Sequence, residues 1–194
     1  MTELDQIKQH TGTAENNCTC DTCKHMCHVQ PCMGTPADIL RLFNNGHINK
    51  LVPTEWGVGH AVGIMPVVKN MIQARFDLEK GHCVFLTDDN LCSLHADGLK
   101  PTEGKLATHA NKVYYTREEA HKALTITVAK TWLNPSNFKT LDALYKGFVK
   151  YFTNQKPIHN EKSIFYLPAR AGNDQLQQRT SDVPQGGPSY TEAL

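Results

Sequence analysis

The sequence predicts an α+β protein: a small cysteine-rich metal-binding domain with short β-hairpins, packed with a C-terminal helical hairpin. Three observations lead there. Five of the seven cysteines fall within residues 18–32, and the other two are Cys83 and Cys92. Two short apolar runs flank the turn residues Asp88, Asp89 and Asn90. From residue 116 onward, apolar residues recur at helical intervals. With 194 residues, 40% of them hydrophobic, the chain suits one domain with a core of its own. The expected divisions are a mobile N-terminal arm over 1–17, a single metal-binding domain over 18–168 and a flexible tail over 169–194. Within that domain the cysteine cluster occupies 18–110 and the helical part 116–152.

Taken in order, "MTELDQIKQHTGTAENN" is polar throughout, and this predicts the arm. After the cysteines, "TPADILRLFNNGH" predicts a short helix. Thr35 is a good N-cap, Pro36 fits the first helical position, and Asp38 places a carboxylate in the first turn. Ile39, Leu42 and Phe43 supply its apolar stripe, and Gly46 marks its end. "GIMPVVKNMIQARFDL" mixes β-branched and polar residues and predicts short strands. "HCVFLTDDNLCSLH" predicts a β-hairpin or tight knuckle with Cys83 and Cys92 on its two arms.

A capping box, Thr116 with Glu119, opens the next helix, which stops at Asn134 and Pro135. In "NFKTLDALYKGFVKYF", Phe138, Leu141, Leu144, Tyr145, Phe148, Val149 and Phe152 share one face. That face and the one carrying Leu124, Val128 and Trp132 predict a helical hairpin. Residues 169–194 have almost no large apolar side chains, hence the tail.

The formal net charge is +1, so nothing in the composition points to nucleic acid. No apolar run reaches the length of a membrane span, and the N-terminus lacks the pattern of a secretory signal. The expected compartment is the cytoplasm, where thiols stay reduced. An odd cysteine count and the crowding of Cys18 and Cys20 further disfavour disulfides.

Cys20 and Cys23 have the Cys-x2-Cys spacing of a metal knuckle, in which two thiolates close on one ion. Cys27 and Cys32 follow within nine residues, and Cys83 and Cys92 stand on the distant knuckle. Thiolates are soft ligands and favour zinc or an iron–sulfur cluster over magnesium or calcium. His95 lies in a Cys-x2-His spacing with Cys92. The expected ligands are Cys20, Cys23, Cys27, Cys32, Cys83, Cys92 and His95. The metal's identity and number stay open, as do roles for Cys18, His25, His28, His82 and His109. Neither cysteine segment alone fills a shielded site, so the two are expected to meet around metal. His60 in "GVGHAVG" reads as part of a bend, Asp88 and Asp89 as turn residues, and Trp56 and Trp132 as packing.

The motifs "CDTCKHMC", "TPADILRL", "CVFL", "CSLH" and "LKPTEG", in that order, resemble the YkgJ-like cysteine-cluster family, described as a zinc- or iron-chelating domain. The likeness covers residues 20 to about 105. It implies that Cys20, Cys23 and Cys27 take the first cluster positions, Cys83 and Cys92 the later ones, and His95 a His/Tyr position. The family's last cysteine is replaced by Gly104, which leaves Cys32, Cys18 or a histidine to compensate. The resemblance implies metal binding more firmly than any reaction, although a related motif occurs in flagellin lysine methylases. Three functions follow as expectations: a metal-binding protein with a structural or interaction role, a metal-dependent redox or protein-modifying enzyme, and a thiol redox sensor. No substrate, catalytic residue or protein partner is named by the sequence.

Overall fold

The computed structural model describes residues 1–15, 20–56, 68–107 and 116–154, all within the unit Met1–Gln155. Cys18, His60, His109 and the tail expected over 169–194 lie outside the described residues.

The chain opens with helix α1, Glu3–Thr11. Thr2 and Asp5 form a capping box, and Gly12 closes the helix in the left-handed conformation at φ +63°. Ile7 is only 3% exposed, and the buried Thr11 hydroxyl donates to the Ile7 carbonyl at 2.7 Å. This part of the expected mobile arm is therefore a packed helix. Its polar composition hides it, because only one narrow edge, Leu4 and Ile7, carries apolar side chains into the core.

Helix α2, Asp21–Val29, carries cysteines and is described below. Helix α3, Pro36–Asn44, begins where the sequence places it: Thr35 caps, Pro36 takes the first turn, and Asp38 completes a capping box. Ile39 and Leu42 are fully buried, and Gly46 turns the chain at φ +82°. A short 3-10 turn, Ile48–Lys50, leads into strand β1, Leu51–Trp56. β1 pairs antiparallel with β2, Val68–Ala74, with Leu51 opposite Ala74 and Thr54 opposite Met71. Met71, Ile72 and Ala74 are buried, and α3 packs on β2.

Two very short strands follow, β3, Phe76–Asp77, and β4, His82–Cys83, paired with Phe76 opposite Cys83. The expected hairpin over 82–95 divides in two. Cys83 belongs to the β3–β4 pair, whereas Cys92 bridges to Leu86 in a separate knuckle. That knuckle is held by Ser93 N–H to the Phe85 carbonyl and Thr87 N–H to the Leu91 carbonyl, both 2.9 Å. Asn90 turns it at φ +57°, a conformation asparagine tolerates better than most residues.

Helix α4, Thr102–Leu106, is short. Helix α5, Arg117–Thr131, has the expected capping box, Thr116 with Glu119, and buries Ala120, Leu124, Val128 and Ala129. After a 3-10 turn, Pro135–Asn137, comes helix α6, Phe138–Asn154.

The main contacts of α5 are with α1 and α4, and those of α6 are with α3; the side chains of both C-terminal helices join one core cluster. Phe43 of α3 reaches α6 closely at Gly147, where an added Cβ would stand 2.6 Å from its ring. The expected stripe on α6 also narrows. Leu141, Leu144 and Phe148 are buried, but Phe138 is 64% and Val149 63% exposed, and Phe152 is exposed as well.

Candidate functional site

Residues 21–29 carry cysteines on a helix rather than an open loop. Cys20 is the N-cap of α2, Asp21 sits in its first turn, and the helix ends at Val29, two residues before Pro31. Cys23 and Cys27, four residues apart, lie on one helical face, and α2 packs against β4 with Cys83. The segments 20–32 and 83–95 thus meet through α2 and β4.

Where they meet there is a cavity of about 290 Å³, lined among others by Cys23, Cys27, Cys32, Cys92 and His95. Cys83 is buried outside the lining, and burial first, then the charges of Cys27 and Cys92, raise its pKa. Cys20 is exposed at the helix start and outside this lining. Cys23 accepts from the Arg117 guanidinium at 3.9 Å, which ties the cavity rim to the start of α5. His25, His28 and His82 stand outside the lining as a ring cluster, with centroids 6.2 Å apart for His25 and His28 and 5.6 Å for His28 and His82. The His28 ring bonds to the Asn90 side chain at 3.0 Å, and the His82 ring to the Cys83 carbonyl at 2.8 Å.

The four inner thiols differ chemically. The neighbouring Cys32 thiol lowers Cys27 to about 7 against the resistance of burial, with help from the charges of Lys100, His28 and His82. The same interaction raises Cys32 well above the usual thiol range, and burial and the Glu103 carboxylate push the same way. Burial pushes Cys83 up to about 12 and also raises Cys92. One thiol is ready to ionise near neutrality, and three hold their protons.

Cys32 also lies beside Gly104. A Cβ built on Gly104 would lie 3.1 Å from the Cys32 sulfur and 2.9 Å from Cε of Lys100. The Cys32 sulfur thus sits close to the space a side chain at 104 would enter.

Lys100, Glu103 and His121 also line the cavity, and the sequence assigned none of them a role there. Glu103 is 2% exposed. It accepts from Met33 N–H at 2.5 Å and from the Thr125 hydroxyl at 2.5 Å, and His121 Nε2 lies 3.7 Å away. Its own N–H donates to the Met33 carbonyl at 3.1 Å, so Glu103 clamps the residue next to Cys32 from both sides. Asp38 plays a similar part. Beyond its capping box it accepts from Thr102 N–H at 2.9 Å and pairs with Arg41, which fixes the start of α4. Trp132 Nε1 donates to the Gly34 carbonyl at 2.9 Å and anchors the same segment to the end of α5.

The donor chemistry, four soft thiols from two segments, fits an ion of the zinc or iron type. Among the described residues, however, no group of three or more His, Cys, Asp or Glu side chains stands close enough to hold a metal ion. No helix among them is long and apolar enough to cross a membrane. No family model matches the chain, and no curated protein or solved structure matches it either.

Proposed function

We propose that this is a cytoplasmic metal-binding protein, related to the YkgJ-like family, with a structural or interaction role. Cys27, Cys32, Cys83 and Cys92 form its inner ligand set, and Cys20, Cys23 and His95 flank it. The supporting observation is the convergence of segments 20–32 and 83–95 on one cavity, with Cys32 filling the space beside Gly104. A bound zinc ion or iron–sulfur cluster would supply a cross-link between the two segments and contribute folding free energy directly. Holding it requires the thiols of Cys83 and Cys92 to draw closer to those of Cys27 and Cys32, and to give up protons that burial now retains. Elemental analysis of the chain purified without oxygen tests the reading. Stoichiometric zinc in a colourless sample, or iron with sulfide in a brown one, is the expected result. A folded chain with no bound transition metal under those conditions would overturn it.

A further inference from the structure

Besides its thiols, the cavity is lined by the apolar side chains of Met26, Leu86, Leu91 and Ala96 and by two lysines, Lys24 and Lys100. Leu91 is 46% exposed, so apolar surface of the lining stays in contact with water. The aliphatic stem of Lys100 packs beside Gly104, where an added Cβ would stand 3.3 Å from its Cγ and 2.9 Å from its Cε. A packed stem leaves the ammonium group free to meet a solute. Among the described residues neither Lys24 nor Lys100 pairs with a carboxylate. The one acidic side chain in the lining, Glu103, is 2% exposed, and its oxygens accept from Met33 N–H and the Thr125 hydroxyl. That carboxylate is committed to the interior, and the two cations stand beside apolar surface without an anion of their own. The volume of about 290 Å³ lies near the lower end of small-molecule sites, and ~150 Å³ of apolar cavity already takes up benzene.

We propose that the cavity binds a small amphiphilic monocarboxylate of about the size of octanoate, with its carboxylate held by Lys24 and Lys100 and its hydrocarbon laid against Met26, Leu86, Leu91 and Ala96. The assignment goes beyond metal binding, because it rests on the cations and the apolar side chains and not on the sulfurs. Covering Leu91 and its neighbours removes apolar area from water, and the lysines favour a charged head over a neutral one.

The test uses the full chain as purified without oxygen, with metal content measured in the same samples and the fold checked by near-ultraviolet circular dichroism. Octanoate and its neutral counterpart octanamide are titrated in parallel while backbone amide NMR shifts are followed. Both should give saturable shifts at Leu86, Leu91 and Ala96, and octanoate should bind ~10-fold more tightly, the gain typical of hydrogen bonds between charged groups. That preference should vanish in the Lys24→Gln, Lys100→Gln double variant, with octanamide binding as before. Leu91→Ser should weaken both ligands alike, because it removes apolar contact and no charge. Absence of saturable shifts at those three amides would overturn the proposal. So would a preference for octanoate that survives the lysine substitutions, the result expected if the two lysines serve only to offset charge on the sulfurs. Stoichiometric metal with no octanoate shift would sink this assignment alone, whereas octanoate binding to a chain free of metal would sink the metal site and leave this one standing.

Discussion

The helical side of the molecule and its cysteine side are held by different physics. On the helical side, Ile39, Leu42, Leu124, Val128 and Leu144 are buried among α3, α5 and α6. Their contribution comes from apolar area removed from water and is indifferent to pH or redox state. On the cysteine side, the elements are a short helix, two-residue strands and a one-bridge knuckle, and beside the buried Phe85 and Leu94 lie the Cys83 thiol, the half-buried thiols of Cys27, Cys32 and Cys92, and the Glu103 carboxylate. The contribution of the thiols and the carboxylate, unlike that of the apolar side chains, depends on which proton sits on which group. One domain therefore joins a scaffold insensitive to conditions to a face that responds to them. Glu103 and Trp132 are the bolts between the two, because each reaches from an α4 or α5 position to the segment that carries Cys32.

The largest expected effect breaks the scaffold. Leu124→Ala or Leu144→Ala should cost ~2–5 kcal/mol in chemical denaturation, since both side chains are fully buried. A loss under 1 kcal/mol would mean that the helices are not packed as described. Glu103→Ala comes next. It strands the Met33 N–H and the Thr125 hydroxyl in the interior and should cost ~1–3 kcal/mol. It should also raise the alkylation rate of Cys32, which peptide mapping can read, because the clamp beside that residue is gone.

The pH dependence of the metal-free chain sharpens the comparison. Cys83 is raised from 9.0 to about 12, so its contribution to stability is full below pH 9 and is lost as the pH climbs through 12. Cys27 has the opposite sign: lowered from 9.0 to about 7, it contributes above pH 9 and loses that contribution as the pH falls through 7. Iodoacetamide labelling should therefore rise at Cys27 around pH 7 while Cys83 stays unlabelled up to pH 9. Equal labelling of the two would remove the chemical distinction between them. The smallest effect concerns α6. Phe138→Ser should change stability by less than ~0.5 kcal/mol, because that side chain is largely in solvent.

What was legible in the sequence was local. Thr35 with Asp38 and Thr116 with Glu119 announce their helices because a capping box is complete within four residues. The stripe on α6 gave the right helix but too wide a buried face: spacing identifies a side of a helix, and only the position of α3 decides which edge of that side is covered. Helix α1 was hidden because its inward edge is two residues wide, and α2 because its cysteines read as ligand spacing rather than as neighbours one helical turn apart. The pairing of Glu103 with Met33 spans 70 residues and leaves no local trace. The meeting of the two cysteine segments was inferred from ligand economy, and their division between a strand pair and a knuckle was not.

The most direct test of the central claim, that the two cysteine segments form one metal site, is metal content per chain in Cys27→Ser and Cys92→Ser, purified alongside the native protein without oxygen. The account predicts that each substitution, one in each segment, removes the same ion and lowers thermal stability together with it. Full metal occupancy in Cys92→Ser, with loss confined to Cys27→Ser, would contradict it.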